Sequence, residues 1–183
     1  TGRRVTTNDY SSADYYYVDK SSLPKVYGGF NTSLSWKGFD LSAIFAYSIG
    51  GYIYNRDITM ILHNGSLEGR DWSTEILKRW TPDNRYTDVP ALSTTSNNWN
   101  SASTRFLQNN SYMRLKNLTL SYNLPKQWIS KLSLSSVQVY VQGDNLFTIH
   151  RNQGLDPEQG ITGITYYRYP AMRTISGGIN VSF

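Results

Sequence analysis

Two acids flank a proline at Asp156-Pro157-Glu158, the close carboxylate pair that sits beside a turn residue. Glycoside hydrolysis would need two carboxyls facing each other across a sugar, about 5 to 9.5 Å apart, one with its pKa raised by burial. A proline between two acids, in a loop bounded by Gly154 and Gly160, gives more simply a turn that ties the loop to the wall of strands beside it. His63 and His150 stand alone, with no Cys, Asp or Glu at metal-ligand spacing. Cysteine is absent, so no disulfide framework forms. The pairs Gly28-Gly29, Gly50-Gly51 and Gly177-Gly178 lack the following helix that a phosphate cradle needs, and read as relief of curvature or crowding in strands. The sequence therefore assigns no catalytic residue, no cofactor and no metal. Its remaining chemistry is aromatic: Trp72, Trp80, Trp99, Tyr166, Tyr167 and Tyr169 lie among Asn and Ser residues, where ring faces and amides suit a sugar or another ligand. The same rings could equally pack the loops on one another.

The elements that must carry these residues follow from period-two alternation. Ile175, Gly177, Ile179, Val181 and Phe183 alternate with small polar residues in a strand expected over 173–183. Val137, Val139 and Val141 mark a strand over 135–147, and Leu118, Leu120, Tyr122 and Leu124 mark one over 112–124. A hairpin is expected over 26–49, turning at Lys37-Gly38, with Phe30, Leu34, Trp36, Phe39, Leu41, Ala43 and Phe45 on one face. Between them lie long connections over 50–111 and 148–172, and a loop over 1–23. Inside the longest, Arg56 to Asn64 with a stop at Gly65, and Ser73 to Trp80 with Glu75 and Arg79 four apart, predict short helices.

The 183 residues carry 18 Lys+Arg and 13 Asp+Glu, a formal charge of +5, but the cations are scattered, so no basic patch marks a nucleic-acid surface. The charged fraction is 17%, low against about 25% in soluble domains. Apolar runs such as Ala43 to Ala46 are far short of the roughly 20 residues of a membrane helix. Alternating short turns and long loops, with a second face of Ser, Asn, Thr and Gln, instead fit an all-β transmembrane barrel with apolar rows on lipid and polar rows on a lumen. Trp36, Phe39, Trp128 and Phe183 would form one aromatic girdle; Tyr47, Tyr52, Tyr54 and Tyr112 would form the other. The alternative left open is a soluble β-sandwich acting as a carbohydrate-binding module.

An ordered series of segments then carries a resemblance. Pro24 to Phe30 with Trp36 to Ser42, Arg79-Trp80-Thr81-Pro82, Asn110 to Leu120 ending in Leu124-Pro125, Gly143 to Thr148, Gly154 to Glu158, and Tyr169 to Phe183 together resemble the SusC/RagA family of TonB-dependent outer-membrane transporters of the Bacteroidota. The resemblance implies the C-terminal part of a barrel of about 22 strands closed around a plug. It implies nutrient uptake, with import of glycans or peptides across the outer membrane, not catalysis. As partners it implies the rest of the barrel and plug, a SusD-like surface lipoprotein, the TonB complex, the barrel-assembly machinery and the lipid bilayer, with no nucleic acid. Trp72, Trp80, Trp99, Tyr166, Tyr167 and Tyr169 become candidate substrate or lid contacts, and Phe183 a candidate assembly signal. The chain opens at Thr1 with neither an initiating Met nor a signal core, so it reads as a fragment, with plug and targeting segments expected elsewhere in the gene product.

Overall fold

A computed structural model describes residues 7, 9–63, 67–93, 98–130, 133–152, 154, 156–158 and 160–183. In chain order the elements are β1 (Val26–Trp36), β2 (Phe39–Ile49), β3 (Tyr52–Tyr54), α1 (Arg56–Ile61), β4 (Leu107–Asn109), β5 (Tyr112–Asn123), α2 (Lys126–Ile129), β6 (Ser136–His150) and β7 (Thr174–Ser182). One five-stranded sheet runs β1-β2-β5-β6-β7, every neighbour antiparallel, and β3 pairs with β4 in a small second sheet.

The hairpin turns where expected. Lys37 and Gly38 both take positive φ, 48° and 90°, the twist that a two-residue hairpin loop requires. Cross-strand rows then follow from register. Leu34, Leu41, Leu120, Val141 and Gly177 form one row, and Trp36, Phe39, Tyr122, Val139 and Ile179 the next. The intervening rows are polar, as in Ser33, Ser42, Thr119, Gln142 and Ser176.

One irregularity keeps these faces in phase. On β5 the apolar residues are odd-numbered at Met113 and Leu115 but even-numbered at Leu118 and Leu120. A bulge at Lys116 absorbs the slip, since Phe45 pairs with Leu115 while Ile44 pairs with Asn117. On the other side Asn145 and Leu146 fill the gap between the Leu115–Phe147 and Asn117–Asp144 pairs, with Asn145 at φ 52°. Without the bulge, half the strand would turn its leucines to the polar face.

Several expectations are corrected. The strand expected to end at 147 continues to His150. The first helix spans Arg56–Ile61 and closes on Leu62; the proposed stop at Asn64 and Gly65 lies outside the described residues. The second is a 3₁₀ turn, Thr74–Lys78, whose ion pair is Lys78 to Glu75 at 2.7 Å, because three residues per turn align i with i+3. Of the four tyrosines assigned to the loop-side girdle, only Tyr47 lies on the apolar rows. Tyr52 and Tyr54 belong to the small sheet, with Tyr54 edge-on to Phe106, and Tyr112 falls in the polar row of Ser48 and His150.

The deeply buried residues are mostly in the loops. Ile53, Leu62 and Phe106 are enclosed there, and Ile76, Val89 and Trp99 form a packed cluster. The apolar sheet face, by contrast, stays largely open, with Leu41 40% and Ile175 71% exposed, although Ala43 and Leu115 within it are buried. The accessible surface is 13676 Å²; a compact monomer of this mass has about 9,000 Å². A β-sandwich covers its apolar face with a second sheet. Among the described residues only the two-stranded β3-β4 sheet is additional, and the open apolar face removes the sandwich reading.

Candidate functional site

The polar face is a hydrogen-bonded lattice of side chains. Asn117 donates to Asp144 at 2.8 Å and Thr119 to Asn117 at 2.9 Å, and Gln142 donates to Asp144 at 3.2 Å. Nearer the turns, Ser35 and Asn123 donate to the two oxygens of Asp40, and Gln138 links Ser121 to Asn180. Amides and hydroxyls paired along a sheet, with the carboxylates of Asp144 and Asp40 as shared acceptors, suit a water-filled side.

Above this lattice, the two acids of the 154–158 loop meet β5. Arg114 is 3% exposed and uses three nitrogens: Nη2 on Asp156 at 2.5 Å, Nη1 on Glu158 at 2.8 Å, and Nε on Thr148 of β6 at 2.9 Å. Lys116, brought alongside by the bulge, adds an ion pair to Glu158 at 2.5 Å. Asp156 also accepts from the backbone N–H of Glu158 at 2.9 Å and of Ala171 at 2.7 Å. Burial pushes its carboxyl toward the neutral form, but the Arg114 guanidinium and those two N–H groups outweigh it and hold its pKa below the usual carboxylate value. The pair is thus a clamp tying the 151–173 segment to the wall, as its turn chemistry indicates, with both carboxylates engaged by cations. Pro157 is wholly buried beneath it, its carbonyl accepting from Asn110 at 2.8 Å.

Further bonds knit the loops into one cap. Tyr54 donates to the carbonyl of Gly163 at 2.7 Å and Thr165 returns a bond to Tyr54 at 3.1 Å. The backbone N–H of Tyr167 reaches Asp57 at 3.1 Å, and Tyr10 Oη donates to Ala102 at 2.7 Å.

The structure divides the candidate contact residues between two regions of this cap. Trp72 meets the buried His63 edge-on, with ring centroids 5.5 Å apart; Trp80 is joined by its backbone to Val89 at 2.8 Å. Trp99 is 6% exposed, its ring packed with Ile76 and Val89, which makes it a core residue of the loops. Tyr166, Tyr167 and Tyr169 lie on the second region, exposed, with Arg56 over the Tyr166 ring at 5.5 Å. Phe183 follows β7 and is 93% exposed. The clamp cations escaped sequence reasoning, although the spacing of three between Leu115 and Leu118 was the available sign of a bulge beside them. Neither His63 nor His150 belongs to a cluster of metal-ligating groups among the described residues.

No family model matches the chain. It is 34% identical over 166 residues to TonB-dependent receptor P3 of Formosa agariphila, covering 85% of this chain and 16% of that protein. It is 27% identical to TonB-dependent receptor SusC of Bacteroides thetaiotaomicron, over 91% of this chain and 16% of the relative. A solved structure of the RagAB peptide importer in its closed-closed state superposes with a TM-score of 0.84 at 37% identity, covering 100% of this chain and 20% of the other. The chain spans a fifth or less of the proteins it matches. An antiparallel sheet with one open apolar face and clamped loops above its polar face is thus similar to one part of TonB-dependent receptors such as SusC and of the RagAB peptide importer.

Proposed function

We propose that this chain is the C-terminal wall segment of an outer-membrane, TonB-dependent importer of glycans or peptides. The observation that supports this is the apolar face, continuous across five strands and uncovered, opposite a hydrogen-bonded polar face. Lipid satisfies the first and a wet lumen the second. Among the described residues the outer strands β1 and β7 each keep one unpaired edge, and such edges persist in a bilayer only when a closed barrel pairs them. The whole barrel, of about 22 strands, and its plug supply those partners. The segments capped by Trp72, Trp80, Tyr166, Tyr167 and Tyr169 lie outside the cell, offering ring surface to cargo or to a SusD-like lipoprotein lid. TonB acts through the plug, and Phe183 presents a terminal aromatic to the barrel-assembly machinery. The likeness to the RagAB peptide importer favours peptide cargo, tested by uptake of labelled oligopeptides against oligosaccharides in cells with and without the gene.

The membrane reading is tested by paired substitutions in the full-length protein. Leu120→Arg places a charge on the apolar rows at a cost of roughly 2–4 kcal/mol near the bilayer midplane, whereas Thr119→Arg faces the lumen. We expect the outer-membrane level to fall sharply for the first and to hold for the second. Equal levels would reject the orientation.

A further inference from the structure

Of the non-glycine residues at positive φ among those described, Tyr167, at 44°, is the one that carries a ring. Lys37 and Asn145 serve the hairpin turn and the bulge, but a bulky side chain enters the left-handed region only where its surroundings hold it there. Those surroundings are buried and polar. The backbone N–H of Tyr167 donates to Asp57 Oδ1 at 3.1 Å, and the N–H of Asp57 donates to Thr165 Oγ1 at 3.2 Å. Asp57 is 8% exposed and Thr165 1%, and backbone bonds to Tyr54 fix Gly163 and Thr165 in turn. The second oxygen of Asp57 has no hydrogen-bond partner among the described residues, so this carboxylate is buried with only part of its bonding capacity met. A strained tyrosine held by an under-bonded acid is a doubly costly arrangement, and such outliers gather where a ligand is gripped.

What the strain presents is an outward surface. Tyr166 and Tyr167 are 51% and 63% exposed, and the Arg56 guanidinium lies over the Tyr166 ring at 5.5 Å. Arg56 is exposed and joins no ion pair among the described residues. The acid beside it in sequence, Asp57, is buried and committed to Tyr167, so it does not serve as counter-ion. A guanidinium that rests its face on a ring keeps its edge for a planar, bidentate acceptor, and a carboxylate is such an acceptor.

We propose that Asp57 is the positioning residue of a cargo-contact surface: it holds Tyr167 in the left-handed conformation, and so sets Tyr166, with Arg56 across it, to receive a carboxylate of a peptide cargo. The proposal rests on the importer reading above. A surface fixed in advance spares the ordering of its side chains at the moment of binding, which is how a strained loop converts into affinity.

The test measures binding of labelled short peptides free of Asp and Glu, with carboxylate or amidated C-termini, to outer-membrane vesicles from cells with and without the full-length gene, normalised to receptor level. Wild type should bind the carboxylate pool about tenfold more tightly, the effect of one charge-assisted bond. Arg56→Gln and Tyr166→Leu should erase that preference. Asp57→Ala should weaken binding of both pools about fivefold, the penalty of ordering one or two side chains on binding. Asp57→Asn, which keeps the acceptor for the Tyr167 N–H, should bind as wild type, and Lys37→Gln at the hairpin turn should change nothing. Equal binding of the two pools by wild type overturns the carboxylate site, and unaltered binding in Asp57→Ala overturns the positioning role. Oligogalacturonate bound in place of peptide, and lost in Arg56→Gln, would assign the carboxylate to a glycan and overturn the peptide reading. Absence of gene-dependent binding of any of these probes would instead overturn the importer reading on which the surface rests.

Discussion

Arg114 shows how one buried cation organises a loop. A desolvated guanidinium is costly unless its donors are matched, and here three are, by Asp156, Glu158 and Thr148. The two acids are unequal. Asp156 is 7% exposed at its side chain and Glu158 is 39%, so the second pair is screened and contributes no more than about 1 kcal/mol. Removing Arg114 leaves Asp156 buried without its counter-charge, a loss of roughly 3–5 kcal/mol when one partner of a buried pair is deleted. We expect Arg114→Met to free the 156–171 segment locally, seen as rapid hydrogen exchange at the Ala171 amide, while the sheet amides stay protected. Acid should act at the same point. Because the folded carboxyl of Asp156 titrates below its unfolded value of about 3.9, the clamp is at full strength above that pH and weakens as pH falls through the lower folded value. Ala171 protection should therefore be flat from neutral to about pH 4 and drop in stronger acid; a loss already at pH 6 would assign the bond to another group.

At the level of strands, two glycine positions show where the wall is tight. Gly38 takes φ 90° in the hairpin turn, where an L side chain is strained. Gly178 faces Tyr140 directly across β6 and β7, and a Cβ there would meet the ring oxygen at 2.7 Å. The tyrosine covers the glycine's bare backbone on an edge strand, a pairing in which neither residue changes freely. Gly178→Val should lower the folded fraction by about 1–3 kcal/mol, the usual range for overpacking, and Tyr140→Ala in the same chain should restore most of it. Heat-modifiable electrophoretic mobility of the full-length protein reads both; failure of the second change to rescue would place the strain elsewhere. All five long strands were legible because alternation survives in a wall that has one dry and one wet face. Only the end of β6, Thr148 to His150, was not, since Asn145 and Leu146 interrupt the period at the bulge just before it.

Seen whole, the chain has two parts with opposite solvents. Among the described residues no layer covers the apolar side of its wall, and its loops carry a water-excluding core of their own around Ile53, Phe106, Ile76, Val89 and Trp99. The fold class was readable from sequence because charge is low and polar positions are neutral. The arrangement of the cap was not, because Trp99 and Trp72 give no periodic signal that tells a core ring from a ligand ring. The small β3-β4 sheet has a consequence for how such molecules diversify. It fastens the ends of the longest excursion to each other, with Tyr54 opposite Leu107 and the Asn55 N–H on the Phe106 carbonyl at 2.8 Å. The stretch between those ends closes on itself at that neck, tied to the other loops through Arg56, Asp57 and Ala102, so its exchange for a relative's segment adds little loop-closure entropy and leaves the register of β2 on β5 untouched. A chimera with residues 55–106 replaced should reach the outer membrane at the parent's level while its cargo preference follows the donor. On the proposed function, recombination at that neck would change the cargo without rebuilding the wall.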